Sequence, residues 1–219
     1  MYSHANAQTV PEVSARRLGG MTESDWRSTA GSLTERGYAT LPEAMPEDGW
    51  RRLRAEAEQL FVGGAFSDAR IGRGEGARTE SITRGGSTCW LDDSMPAGSS
   101  FMRWMDGLRV FLNRELFLGL ESFEAHYAHY PIGASYGTHL DRHHRSNARV
   151  VSVVIYLNSD WPTDAGGELV IYDADAAPRL TVAPTGGTLV VFMSDDMPHE
   201  ARKATRERWS IAGWFRTRP

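Results

Sequence analysis

The stretch YGTHLDRHHRSNARVVSVVIYLN, residues 136–158, gathers three of the chain's seven histidines around one aspartate and then becomes an apolar run. In an extended chain, residues two apart share a face, so His139 and Asp141 can offer an imidazole nitrogen and a carboxylate oxygen to one metal ion. A third ligand must come from elsewhere. His199 is the natural candidate, because it ends the run GGTLVVFMSDDMPHE and opens another strand, a position that a barrel could fold back over the first pair. Two histidines and one carboxylate leave three coordination positions open, an arrangement suited to non-haem Fe(II) oxygen chemistry. Taken alone, His-x-Asp reads better as a hydrogen-bonded surface pair, and the same three ligands with a bound water would serve a zinc hydrolase. His143 and His144 fall in a polar, turn-like stretch and read as a solvated rim. His126 and His129, three apart on a strand, face opposite ways.

Downstream, RWSIAGWF alternates so that Arg208 shares a face with Ser210, Ala212 and Trp214. A guanidinium at the inner end of a strand can grip a carboxylate through two charge-assisted hydrogen bonds, which the point charge of lysine cannot match. An acidic cosubstrate or an internal salt bridge would both use it. Arg206 is the rival, standing just before the apolar strand begins.

Elements of two kinds must position these groups. The first half carries helix signals: MTESDWRSTAGSLTERGY opens on a capping Thr22, and MPEDGWRRLRAEAEQLF and SSFMRWMDGLRVFLNRELF each present one apolar stripe. From residue 121 onward, seven or so short runs rich in Val, Ile, Tyr and Phe are separated by Gly, Asp, Pro and Asn, with no helix between them. That order predicts a mainly β fold with N-terminal helices packed on one outer face. The chain of 219 residues is expected to form a single domain over 1–219: a flexible N-terminus at 1–20, a helical support at 21–120 containing a mobile loop at about 63–95, and the β core at 121–219. A net charge of −4 argues against nucleic-acid and anionic membrane partners, and no apolar run is long enough for a signal peptide or a span. The single Cys89 has no internal disulfide partner, which points to a reducing, cytoplasmic setting.

Three segments, YPIGASYGTHLD, VVSVVIYLNSDWPTDAGGELVIY and PTGGTLVVFMSDDMPHEARKATRERWSIAGWF, together resemble the Fe(II)- and 2-oxoglutarate-dependent prolyl hydroxylases, the group of the hypoxia-type enzymes and their bacterial relatives. The resemblance runs over roughly residues 80–219. It implies a double-stranded β-helix, or jelly-roll barrel, with Fe(II) held by His139, Asp141 and His199. By position it makes Arg208 and Tyr156 the partners of the far carboxylate of 2-oxoglutarate and sets Tyr130 near its chelating end. The implied reaction consumes O2 and 2-oxoglutarate, releases succinate and CO2, and hydroxylates a prolyl residue of a protein, with ascorbate a candidate reductant. The same chemistry could act on free proline or another metabolite, and a binding module without turnover would keep the same residues. TRGGSTCWL resembles the family's substrate-loop segment, so that Arg84, Trp90, Arg149 and Trp214 are implied to face the substrate. Gly86 stands where the family usually carries an aspartate, which would leave Arg149 without that partner.

Overall fold

The computed structural model describes residues 20–68, 85–141 and 148–218. Three helices lead: α1 (Glu23–Arg36), α2 (Glu47–Val62) and α3 (Pro96–Leu116). The strands are β1 (Tyr38–Leu41), β2 (Ser67–Asp68), β3 (Ser87–Trp90), β4 (Ser122–Tyr130), β5 (Tyr136–His139), β6 (Arg149–Tyr156), β7 (Leu169–Tyr172), β8 (Pro178–Val182), β9 (Leu189–Met193), β10 (His199–Ala201) and β11 (Arg208–Arg216). Two antiparallel sheets result, a major one in the order β1-β9-β6-β11-β4-β3-β2 and a minor one in the order β5-β10-β7-β8. This is the expected jelly-roll architecture with helices on one outer face. Three details differ from expectation. The helical half contributes β1 as an edge strand beside β9. The glycine-rich stretch 63–95 contains β2 and β3, because Ser87–Trp90 pairs with His126–His129 of β4 and its backbone groups are satisfied there. Residues 69–84 of that stretch lie outside the described residues. β5 is a separate strand of the minor sheet.

Alternation along the major sheet divides its side chains between two cores. Val151, Val153 and Ile155 of β6, Leu189 and Val191 of β9, and Trp209, Ile211 and Phe215 of β11 face the helices, where Leu53, Phe101, Met105, Leu108 and Leu112 meet them. Tyr156, Val190 and Phe192 face the opposite way, against Leu169 and Ile171 of the minor sheet. Full burial of each such apolar side chain contributes about 1.5–3 kcal/mol, which is how short strands with modest propensity are held in one register.

The helices are tied down by local chemistry as well. Thr22 caps α1 in a reciprocal box, its backbone N–H reaching Asp25 Oδ2 at 2.7 Å while its hydroxyl accepts from Asp25 N at 3.3 Å. Gly37 ends that helix at φ 81°, a left-handed conformation that suits glycine. α3 begins with Pro96 and has no cap of its own. Its exposed N–H groups are satisfied by Glu56 of α2, which accepts from Ala97 N and Gly98 N at 2.8 Å each and from the Tyr127 hydroxyl of β4 at 2.8 Å. Burial first, and then this carboxylate, raise the Tyr127 phenol far above its ordinary value, so it remains a donor.

Candidate active site

Between the two sheets opens a cavity, continuous with solvent and bordered by β4, β6 and β11 on one side and β5 and β10 on the other. His139 and His199 are direct cross-strand partners on β5 and β10. Their rings lie 4.2 Å apart, with Phe192 against His199 at 4.7 Å and Tyr136 stacked on His139 at 3.7 Å. Asp141 lies two residues beyond the end of β5, in a bend rather than in the strand that the His-x-Asp spacing implied. It still converges: Oδ1 is 3.5 Å from His139 Nε2 and Oδ2 is 3.6 Å from His199 Nε2. One ligand atom from each residue falls within 4.8 Å of the others.

The donor chemistry fits a divalent transition metal. Each imidazole has its Nδ1 2.9 Å from a backbone carbonyl, Gly137 O for His139 and Met197 O for His199, which fixes the proton on Nδ1 and leaves the Nε2 lone pair directed at the shared centre. Burial holds the His199 pKa below its ordinary value and so keeps the ring neutral. Burial alone would raise the Asp141 pKa, but the two neighbouring imidazoles and the Ser152 hydroxyl outweigh it and keep the carboxyl ionised. Ser152 donates to Asp141 Oδ2 at 2.7 Å and is itself 2.9 Å from Ser194 Oγ. This support was not anticipated from the sequence, although Ser152 is the one polar residue interrupting VVSVVIY, at a position where alternation sends it inward.

At the far end of β11, Arg208 is 3% exposed, with its guanidinium 4.2 Å from the Tyr130 ring. Nη1 donates to Gly167 O at 2.8 Å, and Nε has no partner among the described residues. A buried cation with an unfilled donor beside an open cavity is a receptor for an anion. Tyr156 lines the same space, its phenol raised by burial against the opposing pull of Arg208. Tyr130 therefore sits beside Arg208, its direct partner in the β4–β11 register. Arg206, the rival anchor, is on the surface with Nη1 on Asp160 O at 2.6 Å.

Trp214 lines the cavity with His126, 5.4 Å away, and Trp90 stands at the edge of this pair, 5.1 Å from His126 and 6.2 Å from Trp214. His126 thus borders the cavity while His129 packs beneath Phe61 and Trp209 on the helix side. Arg84, His143 and His144 lie outside the described residues. Arg149, which lacks an aspartate partner at position 86, pairs instead with Glu124, whose Oε1 accepts from its Nη2 at 2.9 Å and its Nε at 3.1 Å. The departure at Gly86 has a steric reason, because a Cβ there would meet His129 O at 2.8 Å and the Tyr130 ring at 3.1 Å, so no side chain fits.

A model of the 2OG-Fe(II) oxygenase superfamily matches residues 125–216. The hypoxia-inducible factor prolyl hydroxylase of Caenorhabditis elegans is 26% identical over 198 residues, 84% of this chain, and the chain spans 27% of that protein's length. A crystal structure of a Pseudomonas putida prolyl-4-hydroxylase is 38% identical with a TM-score of 0.80, the match covering 89% of this chain and 100% of the other. The Trichoplax adhaerens prolyl hydroxylase in complex with a hypoxia inducible factor oxygen degradation domain peptide fragment shares the fold, with a TM-score of 0.79 at 24% identity over 87% of this chain and 88% of that one. No helix among the described residues is long and apolar enough to cross a membrane.

Proposed function

Because this chain belongs to the Fe(II)- and 2-oxoglutarate-dependent prolyl hydroxylases, we propose that it hydroxylates a prolyl residue of a protein substrate, coupled to conversion of 2-oxoglutarate and O2 to succinate and CO2. The whole chain acts as one oxygenase domain. Bound Fe(II) with chelated 2-oxoglutarate supplies the oxygen activation and hydrogen abstraction that no side chain can perform.

The protein's own residues bind, orient and exclude. His139, Asp141 and His199 would hold the metal. The two carbonyls behind the imidazoles and Ser152 behind the carboxylate keep the three ligand atoms aimed before the ion arrives. Arg208, stacked on Tyr130, would pair with the far carboxylate of 2-oxoglutarate, with Tyr156 beside it, and that pairing sets how far the keto acid reaches toward the metal. Val154 and Leu169 line the walls between them and keep competing water out. Trp214 and His126 border the opening through which a substrate proline would approach, with Trp90 at its edge.

One observation carries this reading. The histidine–aspartate trio and a buried arginine with an unfilled Nε share one cavity, which a hydrolase working through a metal-bound water has no use for. A protein substrate is favoured because a relative of the same fold is complexed with a peptide fragment. We assign the protein to the cytoplasm, where its buried Cys89 remains a thiol. The test is to incubate the protein anaerobically with Fe(II) and 2-oxoglutarate and look for the visible band of a chelated keto acid. O2, ascorbate and a panel of proline-containing peptides are then added, and succinate and a gain of one oxygen on proline are measured. Stoichiometric gain of both is expected. Oxygen gained faster on free proline than on any peptide would move the assignment to a metabolite.

A further inference from the structure

The rim opposite Arg208 holds a second arginine whose partners are all in place. On β11 and β6 the register shifts between Phe215 and Arg216, so that Phe215 faces Val151 while Arg216 faces Arg149. Val150 is the extra residue, and it packs with Val151 toward the helices. A bulge of this kind turns the side chain beyond it to the other face of the sheet. Arg149 consequently lies on the cavity side with Arg216, Trp214 and, across β4, Glu124.

Glu124 uses both oxygens there. Oε1 takes the Nε and Nη2 of Arg149, and Oε2 takes Arg216 Nη1 at 3.0 Å. Its side chain is 15% exposed. The Arg149 guanidinium is thereby laid over the Trp214 indole, 3.6 Å from the ring centre. Trp214 Nε1 has no hydrogen-bond partner among the described residues, so this stacked cation takes the place of a hydrogen bond in orienting the indole.

We infer that Glu124 is a positioning residue for substrate recognition, which clamps Arg149 onto Trp214 and so fixes the flat wall against which the reacting proline is seated. The inference rests on the functional reading above for the identity of the substrate, and on geometry alone for the clamp. A held indole offers a saturated pyrrolidine ring one defined surface beside the metal. A loose indole would leave the metal and the cosubstrate anchor intact but present the target carbon poorly.

The variants that separate this from a merely structural ion pair are Arg149→Lys and Glu124→Gln. Lysine retains the charge opposite Glu124 but cannot lie flat on an indole. The first readout is the indole N–H resonance of Trp214 in the ligand-free protein, assigned with Trp214→Phe. In both variants it should shift and broaden, while the remaining tryptophan signals hold. The second readout is succinate formation with a synthetic proline peptide that the wild type turns over. KM for the peptide should rise about tenfold, with the 2-oxoglutarate requirement unchanged. A Trp214 resonance unchanged in both variants overturns the clamp. A resonance that moves while peptide KM stays at the wild-type value overturns the role in recognition. If the wild type turns over no peptide, it is the functional reading that fails, and the resonance still judges the clamp.

Discussion

Arg208 and Arg149 occupy the same inner face of one sheet, and each sets its guanidinium over an aromatic ring, Tyr130 at 4.2 Å and Trp214 at 3.6 Å. They differ in what faces the charge. Arg149 meets a carboxylate from its own sheet at 2.9 Å, whereas Arg208 has one carbonyl, an unfilled Nε and no carboxylate among the described residues. A guanidinium already neutralised by the fold serves to hold shape, and a buried one left uncompensated is held for something that arrives. Residue type does not separate the two cases; the surroundings do.

That comparison can be broken at several points. The largest effect is expected at the metal-ligand trio: Asp141→Ala should lose Fe(II)-dependent succinate formation altogether, measured by anaerobic metal titration and turnover. Next comes one substitution made at both ends. Arg208→Met should raise the 2-oxoglutarate requirement by about 30- to 5,000-fold, the equivalent of roughly 2–5 kcal/mol, while the Tm of the ligand-free protein holds nearly steady. Arg149→Met should do the reverse, lowering Tm by roughly 2–8 °C for about 1–2 kcal/mol and leaving the 2-oxoglutarate requirement unchanged. Calorimetry and a cosubstrate titration on the two variants would read this directly, and similar profiles for both would erase the distinction.

Smaller effects sharpen it. Ser152→Ala removes the hydroxyl donor to Asp141 and should weaken Fe(II) binding by about 10- to 100-fold at unaltered Arg208, as followed by metal titration. The smallest effect lies behind the deep end, where His129 backs Tyr130 on the helix side, packed by Phe61 and Trp209, 3.7 Å from Glu207 and with Arg54 nearby. Burial lowers its pKa below the ordinary 6.5, only partly offset by Glu207. The unfolded chain then binds the extra proton, so stability is full above pH 6.5 and falls as the pH drops below it. Replacing the ring by His129→Phe should shallow the loss of urea stability between about pH 7 and pH 5.

Much of this site was legible because chemistry and periodicity agree in it. His-x-Asp, a later histidine at a strand edge and an arginine starting an alternating strand are each weak, but together they ask for one barrel interior, and the geometry brings all four to one cavity. The helices were legible through their stripes and the Thr22 cap. What escaped reading depends on pairings far apart in the chain. The partner of Arg149 could not be found by looking for an acid near residue 86, since Glu124 comes from β4 and a one-residue bulge at Val150 turns the arginine toward it. The strand Ser87–Trp90 was hidden because it is only four residues long within a Gly-, Ser- and Arg-rich stretch, and its order comes from pairing with β4. Asp141 meets the histidines from a bend, so the two-residue spacing pointed to a residue that does converge with them, but through a geometry the chain does not use.

Glu56 has a consequence for how the chain folds. Its carboxylate is satisfied only when three segments have met: its own helix α2, the start of α3 and the Tyr127 hydroxyl of β4. No one of these contacts is local in sequence, so the full set is expected to form after the folding barrier has been crossed rather than on the way up. Glu56→Gln should therefore leave the refolding rate close to that of the parent and appear as faster unfolding in a chevron plot. On that account the carboxylate acts as a late latch, setting how long the assembled barrel persists rather than how quickly it is reached.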